Sequence, residues 1–128
     1  MTLARSGHLD LAPAFRLSVI LGLILTFVLG GVAALFIVGN GGHWVGAPHT
    51  DAGGFPVFGW TRQGGDLRVA HFLGIHAMQI LPLAGWFIAR ARPNATGLVW
   101  LAAAALSALA VYALIEALSG EPFLGSIW

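Results

Sequence analysis

His71, His76 and Gln79 sit with Pro82 inside one apolar run, Arg68-Val-Ala-His71-Phe-Leu-Gly74-Ile-His76-Ala-Met78-Gln79-Ile-Leu-Pro82-Leu83. Polar groups are expensive in hydrocarbon, so each marks a candidate site if the run crosses a membrane. Imidazoles in such a run offer an axial ligand for haem, a hydrogen-bond partner for a quinone, or a step in a proton relay. At about 100° per residue, Arg68, His71, His76 and Gln79 fall within a sector of roughly 140° and share one face. His71 and His76 are five residues apart, so they flank that face and do not grip one metal as an i, i+4 pair would. His76 and Gln79 are neighbours at i, i+3. Pro82 cannot donate to the Met78 carbonyl, which predicts a bend there.

Depth selects their partners. Measured from Arg68 and Ser119, His71 and Glu116 lie about 5 Å along their helices, and His76 and Tyr112 about 10–12 Å. Tyr112 and Glu116 are i, i+4 and share a face. The expected site is layered: Arg68 and His71 face Glu116, and His76 with Gln79 faces Tyr112. His43 is within reach of the first layer. The candidate cofactor-binding set is therefore Arg68, His71, His76, Gln79, Tyr112 and Glu116, for haem b or a quinone. The plainer expectation is a self-satisfied network that locks the helices in register, because buried polar groups must be paired. Histidines inside the apolar runs occur in one run only, so bis-histidine haem ligation needs His43 or a second chain. A separate metal set, His43, His49 and Asp51, offers imidazole and carboxylate donors suited to zinc, copper or iron.

Much chemistry is excluded. The chain has no cysteine and no lysine, which removes disulfides, thiolate metal sites, iron–sulfur clusters, covalent c-type haem and Schiff bases. A net charge of +1 gives no basic patch for nucleic acid. No serine sits in a nucleophile elbow, and the glycine-rich stretches lack a strand–helix context. Glu116 and Glu121 are the only glutamates, so no paired-glutamate hydrolase is visible.

These residues need helices to hold them. The 128 residues are 58% hydrophobic and 9% charged, with mean hydropathy +0.85; soluble domains carry about 25% charged residues. Runs 17–38, 69–89 and 98–118 each have the roughly 20 residues that a spanning helix needs. The first is too long for a signal-peptide core and has no A-x-A site after it. The expected fold is all-α: one domain, 1–128, a bundle of three transmembrane helices. A long glycine- and aromatic-rich outer loop, 39–67, joins the first two, and a cytoplasmic turn, 90–97, joins the last two. Arg5, Arg16, Arg90 and Arg92 outnumber Arg62 and Arg68, which places the N-terminus and that turn in the cytoplasm and the C-terminus in the periplasm. Trp86 and Trp100 at one end, and Trp44, Trp60 and Trp128 at the other, match interfacial belts. Trp44, Phe55, Phe58 and Trp60 in the loop predict that it folds back over the outer mouth. Ser18, Gly22, Thr26, Gly30 and Ala34 form a small-residue stripe at a spacing of four, which predicts close helix packing within the chain.

The segment 64–83, with Gly64-Gly65-Asp66-Leu67-Arg68, His71-Phe72, Gly74, His76, Gln79 and Pro82-Leu83, resembles one found in small three-span bacterial membrane proteins of no established activity. The resemblance extends to Phe58-Gly59-Trp60 and Gly120-Glu121-Pro122 and covers about half the chain. It implies the bacterial inner membrane and carries no mechanism. The functional expectation is a small non-enzymatic accessory or assembly component, in contact with lipid and with other membrane chains or copies of itself. The alternative is a redox protein holding haem b or a quinone through His71, His76 and Glu116.

Overall fold

A computed structural model describes residues 10–125; Arg5 and Trp128 lie outside them. Helix α1, Pro13–Leu25, runs through a π-helical turn, Thr26–Gly30, into α2, Gly31–Asn40. Pro13 opens the helix where its missing N–H costs nothing. Gly41 closes it with φ +71°, and the Gly41 and Gly42 amides donate to the Val38 and Ile37 carbonyls in a Schellman pattern. Strands β1, Trp44–Val45, and β2, Gly65–Asp66, pair antiparallel, Trp44 opposite Asp66. Helices α3, Arg68–Ile75, and α4, Ala77–Ala91, meet at His76 with a 46° bend, and α5 covers Thr96–Leu118.

This is a mostly helical membrane protein. Pro13–Asn40 and Thr96–Leu118 are each long and apolar enough to cross a bilayer, and α3 with α4 makes a third candidate if the bent pair is one span. The helices exceed the apolar runs at their ends, and the run 69–89 is divided at His76. The break also stands six residues before Pro82, where the bend was expected. Pro82 lies inside α4, its ring against Gly22.

The small-residue stripe packs on α3 and α4. A Cβ at Gly85 would strike the Ser18 hydroxyl, and one at Gly22 would lie 3.0 Å from the Ala77 carbonyl oxygen. One at Gly74 would collide with the backbone nitrogen of Gly30. Ala34, the last stripe member, gives way to Ala33, which is buried. The π turn accounts for this, since its wider turn shifts the buried face of α2. One core cluster joins Ala14, Leu21, Leu81, Val99 and Leu106; another joins Ala33, Val69, Ala70 and Ala113.

The Ala14 amide donates to the Pro93 carbonyl, so the start of α1 and the α4–α5 turn share one end of the molecule. Residues 41–67 occupy the other end. Trp60 contacts Phe55, Phe58, Phe72 and Phe123 there, and β2 lies so close to α5 that a Cβ at Gly65 would strike the Ala117 carbonyl.

Candidate functional site

Asp66 organises the loop end. It leaves β2 two residues before Arg68, which lets its Oδ1 accept from the Arg68 amide (3.1 Å) and Nε (3.0 Å). Its Oδ2 accepts from the Thr61 amide (3.0 Å) and Arg68 Nη2 (2.7 Å). The Arg68 guanidinium also reaches Asp51 at 2.8 Å and the Gly59 carbonyl at 3.2 Å. Burial raises the Asp66 carboxyl pKa, but the Arg68 and Thr61 donors and the Arg68 charge outweigh it and hold the group below its ordinary value. A depressed carboxyl pKa stabilises the fold at pH values above its unfolded one. The contribution is complete above about pH 4 and is lost as pH falls through the folded value. Acid titration followed by near-ultraviolet circular dichroism should therefore show the aromatic loop signal collapsing in that window. Asp66→Asn should lose about 3 kcal/mol at neutral pH, because it strands a guanidinium over a carboxyl site only 1% exposed. A variant as stable as the parent at neutral pH would refute this.

His43, Asp51 and Asp66 each offer a donor atom, all within 4.8 Å of one another. His49, expected among the ligands, instead stacks its ring on Trp44 at 5.1 Å. His43 Nδ1 lies 3.2 Å from Asp66 Oδ1 but outside hydrogen-bond geometry. Both Asp66 oxygens are already engaged by Arg68, so a cation would have to displace the guanidinium. The cluster works as a clasp between loop and α3.

Within the helices the expected layers do not form. His71 Nδ1 is 3.0 Å from the Gly30 carbonyl oxygen, on the π turn. His76 Nδ1 is 2.7 Å from the Phe72 carbonyl oxygen of its own chain segment, with its ring 4.1 Å from the Phe72 ring. Glu116 accepts from the Tyr112 hydroxyl (2.6 Å) and the Leu124 amide (2.7 Å), so it answers neither Arg68 nor His71. Tyr112 is 44% exposed. Helix α5 buries Ala103, Ala110, Ala113 and Ala117, and this alanine face turns Tyr112 outward. Gln79 is exposed, and its side-chain amide has no partner among the described residues, while its backbone amide donates to the His76 carbonyl.

Thr26 and Asp66 are the residues that sequence reasoning missed. Thr26 Oγ1 accepts from the Met78 amide at 2.9 Å and donates to the Ile75 carbonyl at 3.4 Å, bridging the break between α3 and α4. Its signal was present as one of two hydroxyls in the stripe, with Ser18. The Asp66 signal was its spacing of two from Arg68.

Both imidazoles share one hydrogen-bonding arrangement. A carbonyl only accepts, so each Nδ1 carries a proton, and a ring holding that single proton presents Nε2 as a lone pair. A ring fixed this way is prepared to receive a hydrogen-bond donor or a metal. Beside His71 lies a groove of about 630 Å³, lined by Thr26, Phe27, Gly30, Gly31, Leu35 and neighbouring apolar side chains. Comparison with protein-family models, curated proteins and solved structures finds no match for this chain.

Proposed function

We propose that this protein is a small three-span subunit of a larger membrane complex, an accessory or assembly component with no catalytic centre of its own. It sits in a bacterial inner membrane as a three-helix bundle, with α3 and α4 forming one bent span. The N-terminus is cytoplasmic, and the loop 41–67 and the C-terminus are periplasmic. Arg16, Arg90 and Arg92 at one end of the molecule outnumber Arg62 and Arg68 at the other, which supports this orientation.

The observation that carries the reading is the face of α4 bearing Gln79. Its side-chain amide is exposed and without a partner among the described residues, one turn from His76 and well inside the span. An unsatisfied amide facing lipid tails costs several kcal/mol. A polar group from another membrane chain, covering this face, removes that cost. Extraction in a mild detergent should bring the partner chain down with the protein. Gln79→Leu and His76→Leu should each cut recovery of that partner about tenfold or more while the helical signal and the melting point persist. A chain that elutes alone, with unchanged behaviour in both variants, would remove the proposal.

A second reading is a redox protein holding haem b or a quinone. It is favoured by the two histidines, whose Nδ1 atoms each face a backbone carbonyl and so leave Nε2 to engage a ligand. Absorption spectra of the oxidised and dithionite-reduced protein separate its two forms. A Soret band with sharp reduced bands, lost in His71 or His76 variants, is the result for haem.

A further inference from the structure

We infer that the groove beside His71 binds the ring of a membrane-borne hydroquinone, with one ring hydroxyl donating to His71 Nε2. The inference rests on the cofactor reading and not on the docking of α4. It narrows the ligand to the reduced quinone and the protein contact to His71.

The groove has a glycine floor. Gly31 has an ordinary helical φ of −65°, and a Cβ built on it meets nothing within 4 Å. Neither backbone conformation nor packing within the chain asks for glycine, which in a helix is about 1 kcal/mol worse than alanine. Its neighbours Gly30 and Gly74 differ, because each lies against the opposing helix. Gly31 leaves a notch that a side chain would fill.

Two bulky side chains set its shape. Phe27 and Leu35, one turn to either side of Gly31, are 84% and 72% exposed and stand as end walls. They are about 12 Å apart along the helix at 1.5 Å per residue. A helix packing along this face would meet both walls, since small residues do not recur at the spacing of four that close helix contact uses. A flat ring entering between them meets only the glycine floor.

His71 supplies the polar atom. Nδ1 of His71 is committed to Gly30, so in the neutral imidazole Nε2 is left to accept from a donor. The other polar side chain lining the groove, Thr26, already serves Ile75 and Met78. An acyl chain has no donor to give. An oxidised quinone carries only acceptor oxygens, whereas a hydroquinone carries two hydroxyls. Haem b brings carboxylates, and the groove is lined by no cationic side chain; Arg68 is held by Asp51 and Asp66.

The test uses the full chain in lipid nanodiscs, titrated anaerobically by calorimetry with a short-tailed benzoquinol and, separately, its benzoquinone. The quinol should bind at least tenfold more tightly, the value of one hydrogen bond. Gly31→Leu should weaken quinol binding at least thirtyfold with the circular dichroism spectrum unchanged. Gly39→Leu, equally open but two turns away and outside the groove, should bind like the parent. His71→Phe should also abolish binding; if that variant does not fold, Gly31→Leu decides alone. Equal affinity for the two redox forms, parental binding by Gly31→Leu, or no binding at all would overturn the inference. A His71-dependent Soret band would overturn it too while leaving the cofactor reading in place. No binding of either redox form by the parent, with no chromophore, would remove both.

Discussion

Gly74→Ala should destabilise the protein by about 3 kcal/mol, whereas Gly31→Ala should be neutral or stabilising by up to about 1 kcal/mol. Both positions are helical glycines in apolar surroundings, so helix propensity alone assigns them the same sign. The difference is what the new methyl meets. At Gly74 it would run into the backbone nitrogen of Gly30, with the Gly30 Cα and the Leu29 carbonyl carbon each 2.7 Å away. Backbone cannot swing aside as a side chain can, so the π turn and α3 must separate. Separation lengthens the bond from His71 to Gly30 and draws Thr26 away from the α3–α4 break. At Gly31 there is nothing to displace. Denaturant titration in detergent, followed by circular dichroism, measures both. Equal stabilities for the two variants would mean that the helices do not cross at Gly30 and Gly74.

That crossing was half legible in the sequence. The spacing of Ser18, Gly22, Thr26 and Gly30 marks a face that admits another backbone, and the structure places α3 and α4 along it. What the spacing does not encode is the π turn, because a widened turn looks like any other apolar stretch until a partner takes up its free carbonyl. The same holds for the break at His76. Pro82 is a local signal and drew the bend to itself, but it is accommodated within α4. The break is stabilised by a hydroxyl some fifty residues earlier in the chain.

The polar residues divide on similar lines. Helical geometry put His71 and His76 on one face, but the break at His76 ends the continuous helix on which that angle rests. Their partners did not follow, because α5 carries alanine at 102–105, 108, 110, 113 and 117 and so has no periodic contrast to tell which side is buried. With alanine inward, Tyr112 points away and Glu116 turns to the chain after α5. The loop behaved in the opposite sense. Asp66 beside Arg68 is a short-range pattern whose outcome, a carboxylate capping the start of α3, depends on little beyond the turn itself.

Thr26→Val tests the other end of this argument. Valine keeps the shape and removes the hydroxyl, so the helices still fit but the Met78 amide and the Ile75 carbonyl lose their shared partner. Neither can recover an ordinary helical bond without straightening the 46° bend. Two backbone groups left unpaired inside a membrane span cost about 2–4 kcal/mol together, at 1–3 kcal/mol each with partial relaxation. Thr26→Ser restores the hydroxyl and should recover most of the loss, which separates the hydrogen bond from the methyl. Amide exchange at Met78 reports the site directly. Its protection should fall in Thr26→Val and return in Thr26→Ser, while amides in the middle of α5 keep theirs. A valine variant with parental stability and a protected Met78 would show that α3 and α4 close on each other without help from α1. The break would then be a property of α3 and α4 alone, and the alignment of the His71 carbonyl partner with the groove would need another cause.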